Sequence, residues 1–207
     1  RRPVVLVAPS WQEDCLLDLC ADEVLEPLLG RGFSVIVRPH PEYTKRYHAR
    51  WESLQQRYAS WSRDDIYFEQ DFSTSDSVYD ADVLVTDWSS IACEFSFTTM
   101  KPCVFVDTPM KVTNPDWEEL GIEPADLAIR NQIGASLAME ELPRLGDVVE
   151  DMVARPEAWR NRIEEVRSRM IYHKGRGGEI AGAYLLDRML AKQATGPSRR
   201  PEHPGVE

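Results

Sequence analysis

The sequence predicts an α/β protein built on a doubly wound, mostly parallel β-sheet. Short apolar runs rich in β-branched residues, typical of buried strands, alternate with segments whose apolar residues recur at a helical period. With 207 residues, 43% apolar and 29% charged, the chain is large enough for one domain with a sizeable core. We expect that domain to span residues 1–192, followed by a disordered tail at 193–207, where Pro, Gly and Arg dominate.

The first two strands are predicted at Val4 to Ala8 and at Ser34 to Val37. A helix is expected between them from about Asp14, because apolar residues recur there at spacing four: Leu16, Cys20, Val24 and Leu28. The polar and aromatic segment from Tyr43 to about Trp61 is predicted to be a surface helix. A third strand at Ile66 to Phe68 and a short helix at Asp76 to Asp80 follow.

Residues 82–107 predict a strand, a polar turn, a helix and another strand in succession. The first strand is the apolar run Val83 to Val85, and Thr86 to Ser90 forms the turn. The helix then ends before Pro102, and Cys103 to Asp107 forms the fifth strand. Beyond it we expect a loop to Pro124, a stretch without a clear pattern to Leu145, and two terminal helices around Ile163 and Leu186.

Several polar side chains follow directly after the predicted strands. If the strands take the common order 3-2-1-4-5, the chain reverses direction across the sheet between strands one and four. Ligands bind at the carboxyl ends of strands at that point. The order therefore places four groups along one edge of the sheet: Ser10, His40, the turn Asp87 to Ser90, and Asp107.

The turn at Asp87, Ser89 and Ser90 precedes a predicted helix and has two interpretations. Asp and Ser are standard N-caps, and one of the three is expected to satisfy a free backbone N–H group. Three polar residues exceed what one cap requires, however. Free N–H groups, hydroxyls and a helix dipole together form a favourable place for phosphate, and the dipole contributes roughly 0.3–1 kcal/mol.

His40 stands between two prolines, which remove it from regular strand packing. A lone histidine is often a surface or core residue. At the carboxyl end of a strand beside Arg38, it is also suited to donate to a phosphoryl oxygen and to carry a proton. His48, His173 and His203 have no comparable setting.

The other candidates also keep two interpretations. Glu94, about one turn into the helix, either pairs with a cation on the outer face or accepts hydrogen bonds from a ribose diol. Asp107 either starts a turn or belongs to the site, and Ser10 either caps the first helix or contacts a diphosphate.

Composition and motifs make several classes of protein less favoured. A formal charge of −11 disfavours broad nucleic-acid binding, although one nucleotide can still bind at a local site. The four cysteines lack a Cys-x-x-Cys pair and are expected to be reduced. The sequence contains no Walker A, Gly-x-Gly-x-x-Gly, Gly-x-Ser-x-Gly or His-Glu-x-x-His pattern, which weakens the kinase, dehydrogenase, serine hydrolase and zinc protease readings.

Three segments together resemble the CDP-glycerol glycerophosphotransferase family, which includes teichoic-acid glycerophosphate primases and polymerases. They are Ala-Pro-Ser-Trp after the first strand, Arg-Pro-His-Pro after the second, and Asp-Val-Leu-Val-Thr-Asp-Trp-Ser-Ser with Glu-Phe and Lys-Pro downstream. The likeness covers most of Val4 to about Leu190. Trp88 stands where the family usually has Tyr, and Glu94 where Asp is common.

The resemblance implies one Rossmann-like half of a GT-B transferase, the C-terminal half that binds the CDP-activated donor. His40 would act on the donor phosphates, Ser89 and Ser90 would hold the diphosphate, and Glu94 would be the acidic residue of the next helix. No cofactor is implied and no divalent metal is strictly required, because the helix dipole, hydroxyls and histidine can stabilise the departing CMP.

The resemblance also implies partners beyond this chain. We expect a CDP-glycerol or related nucleotide-diphosphate donor, and a polymer or lipid-linked acceptor that binds through a missing N-terminal half. The chain opens on Arg-Arg-Pro with no Met, so we expect a longer parent protein, cytoplasmic and peripheral on the inner face of the membrane. Alone, the chain should bind donor and turn over little.

Two alternative functions remain open from the sequence. One is a nucleotide-sugar glycosyltransferase or epimerase domain on the same scaffold. The other is a non-catalytic α/β module used for protein interaction. Binding preference between CDP-glycerol and UDP-sugars separates the first from the leading hypothesis, and failure to bind any nucleotide would favour the second.

Overall fold

The structure, a computed structural model, describes residues 1–112 and 114–194. It contains one six-stranded sheet in which every neighbouring pair is parallel, in the order β3-β2-β1-β4-β5-β6. The strands are β1 Val4–Val7, β2 Ser34–Val37, β3 Ile66–Phe68, β4 Val83–Thr86, β5 Cys103–Asp107 and β6 Gly134–Ala138. The predicted fold class and the order of the first five strands are confirmed.

Helices connect successive strands, and among the described residues three more α-helices follow β6. They are α1 Leu16–Leu19, α2 Ala21–Leu25, α3 Pro41–Arg46, α4 His48–Arg57, α5 Asp76–Asp80, α6 Ile91–Thr99, α7 Ala125–Ile133, α8 Leu145–Ala154, α9 Pro156–Met170 and α10 Gly177–Ala194. Two 3₁₀ helices lie at Trp117–Leu120 and Met139–Arg144. Among the helices of the described residues, none is long and apolar enough to cross a membrane.

Both faces of the sheet are buried. Val5 and Val7 point to one face and belong to a large apolar cluster with side chains of α1, α2, α4 and α8. Leu6 and Leu84, which alternate to the opposite face, are also fully buried. A parallel sheet needs cover on both faces, and this burial explains why its strands are continuous apolar runs instead of alternating ones.

The prediction of one continuous helix from Asp14 was wrong. The structure divides it into α1 and α2 at Cys20, whose φ of −151° and ψ of 35° are not helical. The four predicted apolar positions are nevertheless all buried, because the two short helices keep them against the sheet. The predicted surface helix after Tyr43 is likewise divided, and it buries Tyr43, Trp51 and Leu54.

The described residues form two compact units. The first runs from Arg1 to Arg167 and contains the whole sheet, and the second begins at Ser168 and includes α10. The predicted tail at 193–207 lies almost wholly outside the described residues, although α10 extends to Ala194.

The cysteines are free in the structure, and three of them are buried. Burial raises the pKa of the thiols of Cys15, Cys20 and Cys103 to about 12. These thiols therefore remain protonated at neutral pH, and they act as small apolar core residues and not as nucleophiles.

Candidate functional site

A cleft of about 320 Å³ lies at the carboxyl edge of the sheet, beyond β1, β2 and β4. The chain reverses direction across the sheet between β1 and β4, which is where ligands of this sheet type bind. Five of the residues predicted from the sequence line the cleft: Arg38, His40, Ser89, Ser90 and Glu94. Thus the loop after β2 and the start of α6 lie on opposite sides of the same cleft.

His40 is fixed by the helix that it begins. It is the N-cap of α3, and its Nδ1 accepts a hydrogen bond of 3.1 Å from the backbone N–H of Glu42. This bond assigns the proton of the neutral ring to Nε2, which is then a donor. Partial burial lowers the pKa of His40 below 6.5; Glu42 opposes this shift, and the positive charges of Lys111 and Lys45 add to it.

Arg38 lines the cleft but is already bound to several neighbours. Its Nη1 forms a 2.6 Å ion pair with the buried carboxylate of Glu69 and contacts the Ser77 hydroxyl at 3.2 Å. Its Nη2 donates to the carbonyl of Thr74 at 3.0 Å. These contacts show that Arg38 positions the loop after β2, and a direct contact with ligand remains a prediction.

The two serines leave the start of α6 weakly capped. Ser90 is the N-cap of α6, yet its side chain makes no capping hydrogen bond. The hydroxyl of Ser89 accepts from the backbone N–H of Ile91 only at 3.5 Å, the outer limit for such a bond. Glu94 is exposed and has no ion pair among the described residues. The backbone N–H groups of Ala92 and Cys93 donate to the carbonyls of Ser89 and Ser90, at 3.3 and 3.1 Å. The cleft is therefore lined here by two serines whose hydroxyls make at most one weak capping bond.

Asp87 is buried behind the cleft. It is 1% exposed, and its carboxylate accepts hydrogen bonds from three backbone N–H groups, those of Ser10, Leu16 and Trp88, at 2.7, 3.1 and 2.7 Å. Asp87 therefore caps α1 and joins the ends of β1 and β4, which is a positioning role. The hydroxyl of Ser10, 2% exposed, has no partner among the described residues.

Asp107 lies at the far side of the same sheet edge, where it pairs with a residue that the sequence did not single out. Nη2 of Arg130, on α7, is 2.5 Å from the Asp107 carboxylate, and its Nη1 donates to the carbonyl of Asp87 at 3.2 Å. The Arg130 guanidinium also lies 4.0 Å from the centre of the Trp88 ring. Burial lowers the pKa of Arg130, and Asp107 opposes that shift.

Comparison with known protein families gave one decisive match. Residues 1–119 match the model of the family described as CDP-glycerol:poly(glycerophosphate) glycerophosphotransferase. The chain belongs to this family. The match includes the whole cleft, since every cleft residue precedes position 119. No curated protein sequence matched the chain.

Several solved structures have a similar fold but share little sequence with this chain, and three of them are described here. The wall teichoic acid polymerase TagF is 15% identical with a TM-score of 0.55, covering 94% of this chain and 45% of its own. The calicheamicin glycosyltransferase CalG4 is 16% identical with a TM-score of 0.58, covering 92% and 42%. An α,α-trehalose-phosphate synthase (UDP-forming) from Burkholderia vietnamiensis is 13% identical with a TM-score of 0.54, covering 92% and 46%.

These likenesses show the fold, a Rossmann-like domain of the type found in GT-B transferases. The chain spans less than half the length of each of these three structures. Sequence reasoning identified the family correctly from the loops after β1, β2 and β4.

In this member of the glycerophosphotransferase family, two groups near His40 were not predicted from the sequence. Trp11 has its ring 6.0 Å from that of His40, with Arg46 at 5.4 Å and Lys111 at 5.3 Å from its centre. The position of Trp11 directly after Ser10 was the available signal, whereas nothing in the sequence joined Lys111 to it. No cluster of three or more potential metal ligands occurs within the described ranges.

Proposed function

We propose that this chain is the donor-binding domain of a CDP-glycerol glycerophosphotransferase. The parent enzyme would transfer glycerol phosphate from CDP-glycerol to a teichoic-acid or capsule-like acceptor and release CMP. One observation carries the proposal: His40, Ser89, Ser90 and Glu94, which come from two separate loops and a helix, line a single cleft in a member of this family.

The chemistry of each group fits a nucleotide diphosphate. The backbone N–H groups at the start of α6 and the hydroxyls of Ser89 and Ser90 would bind the diphosphate oxygens, with the positive end of the helix dipole directed at them. The Glu94 carboxylate, one turn further along α6, would accept hydrogen bonds from the ribose diol.

His40 would assist the departure of CMP. In the transfer, an acceptor hydroxyl attacks the phosphorus that bears glycerol, the bond from that phosphorus to the bridging oxygen breaks, and CMP leaves with this oxygen. Negative charge would grow on CMP as the bond breaks, and the Nε2–H of His40, left free as a donor by the bond to Nδ1, would donate to it. The proton of the attacking hydroxyl would go to a base outside this chain.

Isothermal titration calorimetry with CDP-glycerol tests the proposal. We expect the chain to bind CDP-glycerol more tightly than UDP-glucose, and the triple variant His40→Ala, Ser89→Ala, Ser90→Ala to bind at least tenfold more weakly. The matched control is His48→Ala with Ser60→Ala, since both residues are exposed and neither lines the cleft. Equal binding by the triple variant, or absence of binding by the wild type, would overturn the proposal.

The same titration separates the alternatives. Tighter binding of a UDP-sugar would favour a glycosyltransferase or epimerase domain on this scaffold. If no nucleotide binds or raises the melting temperature, a non-catalytic interaction module is favoured.

A further inference from the structure

A second cavity, of about 230 Å³, lies beside the donor cleft and has no part in the proposed donor contacts. It is a half-open cavity between the described residues after β5 and the first turn of α7, and its walls include Trp88, Lys111, Trp117 and Asp126. Trp88 is bonded directly to Ser89, which lines the donor cleft. A ligand in this cavity would therefore lie next to the diphosphate.

The lining combines two indole rings with a few polar groups. Trp88 and Trp117 are both half-buried, and Asp126 and Asn114 contribute a carboxylate and an amide. Flat aromatic faces carry partial negative charge and suit the C–H groups of a polyol or sugar, whereas the carboxylate and amide suit its hydroxyls. Such a mixture of aromatic walls and a few polar groups is typical of small-molecule sites.

One wall of the cavity is held rigidly. Nε1 of Trp88 donates to the backbone carbonyl of Thr108 at 2.9 Å, which fixes the indole to the end of β5. The guanidinium of Arg130 lies 4.0 Å from the centre of the same ring. Two independent contacts therefore set the position of Trp88, and the wall is formed before any ligand arrives.

Lys111 supplies positive charge between the cavity and the cleft. It lines the cavity, and its Nζ lies 5.3 Å from the centre of the Trp11 ring, which is itself 6.0 Å from His40. Among the described residues, Lys111 has no carboxylate within ion-pair distance, whereas Lys45 and Arg46 nearby are both paired with Glu42. An unpaired cation here, on a chain of charge −11, fits an anionic group.

We propose that this cavity binds the polyol part of an alcohol phosphate and that Lys111 binds its phosphate. The proposal rests on the proposed function for the identity of the neighbouring ligand. Under that function, the alcohol phosphate has two sources, the glycerol phosphate of the donor and the terminal unit of the acceptor. The two present the same chemistry to the cavity.

The test compares two variants with matched controls. Trp117→Leu removes one indole wall and Lys111→Gln removes the cation. Their controls are Trp61→Leu, an exposed tryptophan outside the cavity, and Lys45→Gln, a neighbouring lysine whose charge Glu42 compensates. Calorimetry measures the affinities of the folded chain for CDP, CDP-glycerol, and glycerol 3-phosphate with and without saturating CDP, and inorganic phosphate serves as the probe for the cation alone.

Two results support the proposal and distinguish the sources. If the glycerol comes from the donor, both variants bind CDP-glycerol about fivefold or more weakly than wild type does, whereas their affinity for CDP is unchanged. If it comes from the acceptor, both variants weaken glycerol 3-phosphate by a similar factor in the presence of CDP and leave CDP-glycerol unchanged. The two control variants should behave as wild type in both cases.

Other results overturn it. Unchanged affinities in both folded variants exclude the cavity as a site. If inorganic phosphate binds as tightly as glycerol 3-phosphate and Trp117→Leu has no effect, the cavity contacts only an anion. Binding of a polyol there is then excluded. If CDP and CDP-glycerol both fail to bind, the proposed function fails, but glycerol 3-phosphate without nucleotide still tests the cavity.

Discussion

The carboxylate of Asp87 accepts a hydrogen bond of 3.1 Å from the backbone N–H of Leu16, 71 positions earlier in the chain. Leu16 is the first residue of α1, so the turn after β4 caps a helix that follows β1. The other oxygen of the same carboxylate holds the N–H of Ser10. The loop after β1 and the turn after β4 are thus joined by one buried side chain, and the serines of the cleft follow two and three residues after it.

Replacement of Asp87 by Asn should lower the free energy of unfolding by about 1.5–3 kcal/mol, because hydrogen bonds to a charged acceptor are lost in a buried site. Urea denaturation measures this change. Asp64→Asn, an exposed aspartate before β3, is the matched control and should change stability by less than about 0.5 kcal/mol. Equal stability of the two variants would contradict the capping role.

The variant Ser10→Ala should show whether the Ser10 hydroxyl contributes to the stability of the fold or to ligand affinity. The buried hydroxyl has no partner among the described residues, so its removal should leave stability unchanged or raise it by up to about 1 kcal/mol. If the hydroxyl contacts the diphosphate, the affinity for CDP should fall at the same time. Ser96→Ala is the control, and it should destabilise the protein because that hydroxyl donates to the carbonyl of Lys101 at 2.9 Å. A large loss of stability in Ser10→Ala would contradict the prediction.

Stability should depend on pH through His40. Its pKa is lowered in the folded protein, chiefly by partial burial, so the unfolded chain binds a proton more readily. The contribution of the neutral ring is complete above pH 6.5, the ordinary value, and is lost as pH falls toward the lower folded pKa. Urea midpoints between about pH 8 and about pH 5 should therefore fall more for wild type than for His40→Asn, whose side chain still caps α3. A steeper fall in the variant would reverse the sign and contradict the prediction.

Arg130→Lys should destabilise the protein by about 1–3 kcal/mol. Lysine keeps the charge beside Asp107, but it cannot lie flat on the Trp88 ring and bind the Asp87 carbonyl at once. Thermal or urea unfolding measures the loss. Arg160→Lys on the exposed side of α9 is the control, since its partner Glu157 is 3.8 Å away in solvent, and it should be nearly neutral. Equal effects at the two positions would exclude the stacked role of Arg130.

Gly134→Ala should be among the most damaging single changes in the sheet. A Cβ at Gly134 would overlap the backbone carbonyl of Cys103 in β5, which cannot move without breaking the β5–β6 pairing. The expected cost is about 1–3 kcal/mol or more. Gly182→Ala in α10 meets open space and should stabilise its helix by about 0.5–1 kcal/mol. A neutral Gly134→Ala would show that β6 can shift away.

The sequence predicted strands well where residue type and burial agree. β4 is fully buried and lies at Val83 to Thr86, where the apolar run predicts it. β6, Gly134–Ala138, was missed because it contains no β-branched residue and is defined by its pairing with β5. The break at Cys20 was missed for a related reason, since two short helices and one long helix bury the same side chains.

In the candidate site, too, the residues predicted from the sequence differ from those that only the structure reveals. His40 and Ser89 were predicted because they follow strands, and parallel topology brings the ends of strands together. Arg130 was not, because its role depends on α7 placing a guanidinium over Trp88, a contact that no local pattern encodes. Asp87 was predicted as a ligand on the same reasoning as the serines, and its burial could be learned only from the folded chain.

The hydrogen bond from Glu42 to His40 has a consequence for the speed and accuracy of ligand capture. Because the first turn of α3 holds the imidazole, the ring orientation is set when the domain folds. Under the proposed function, the ring would need no rotamer search when the donor phosphate binds. Little reorganisation would then be required at the moment of reaction, which is the condition under which an oriented donor is most effective. The prolines on either side of His40 stiffen the backbone that carries it, so this preorganisation is encoded in four consecutive residues, 39–42.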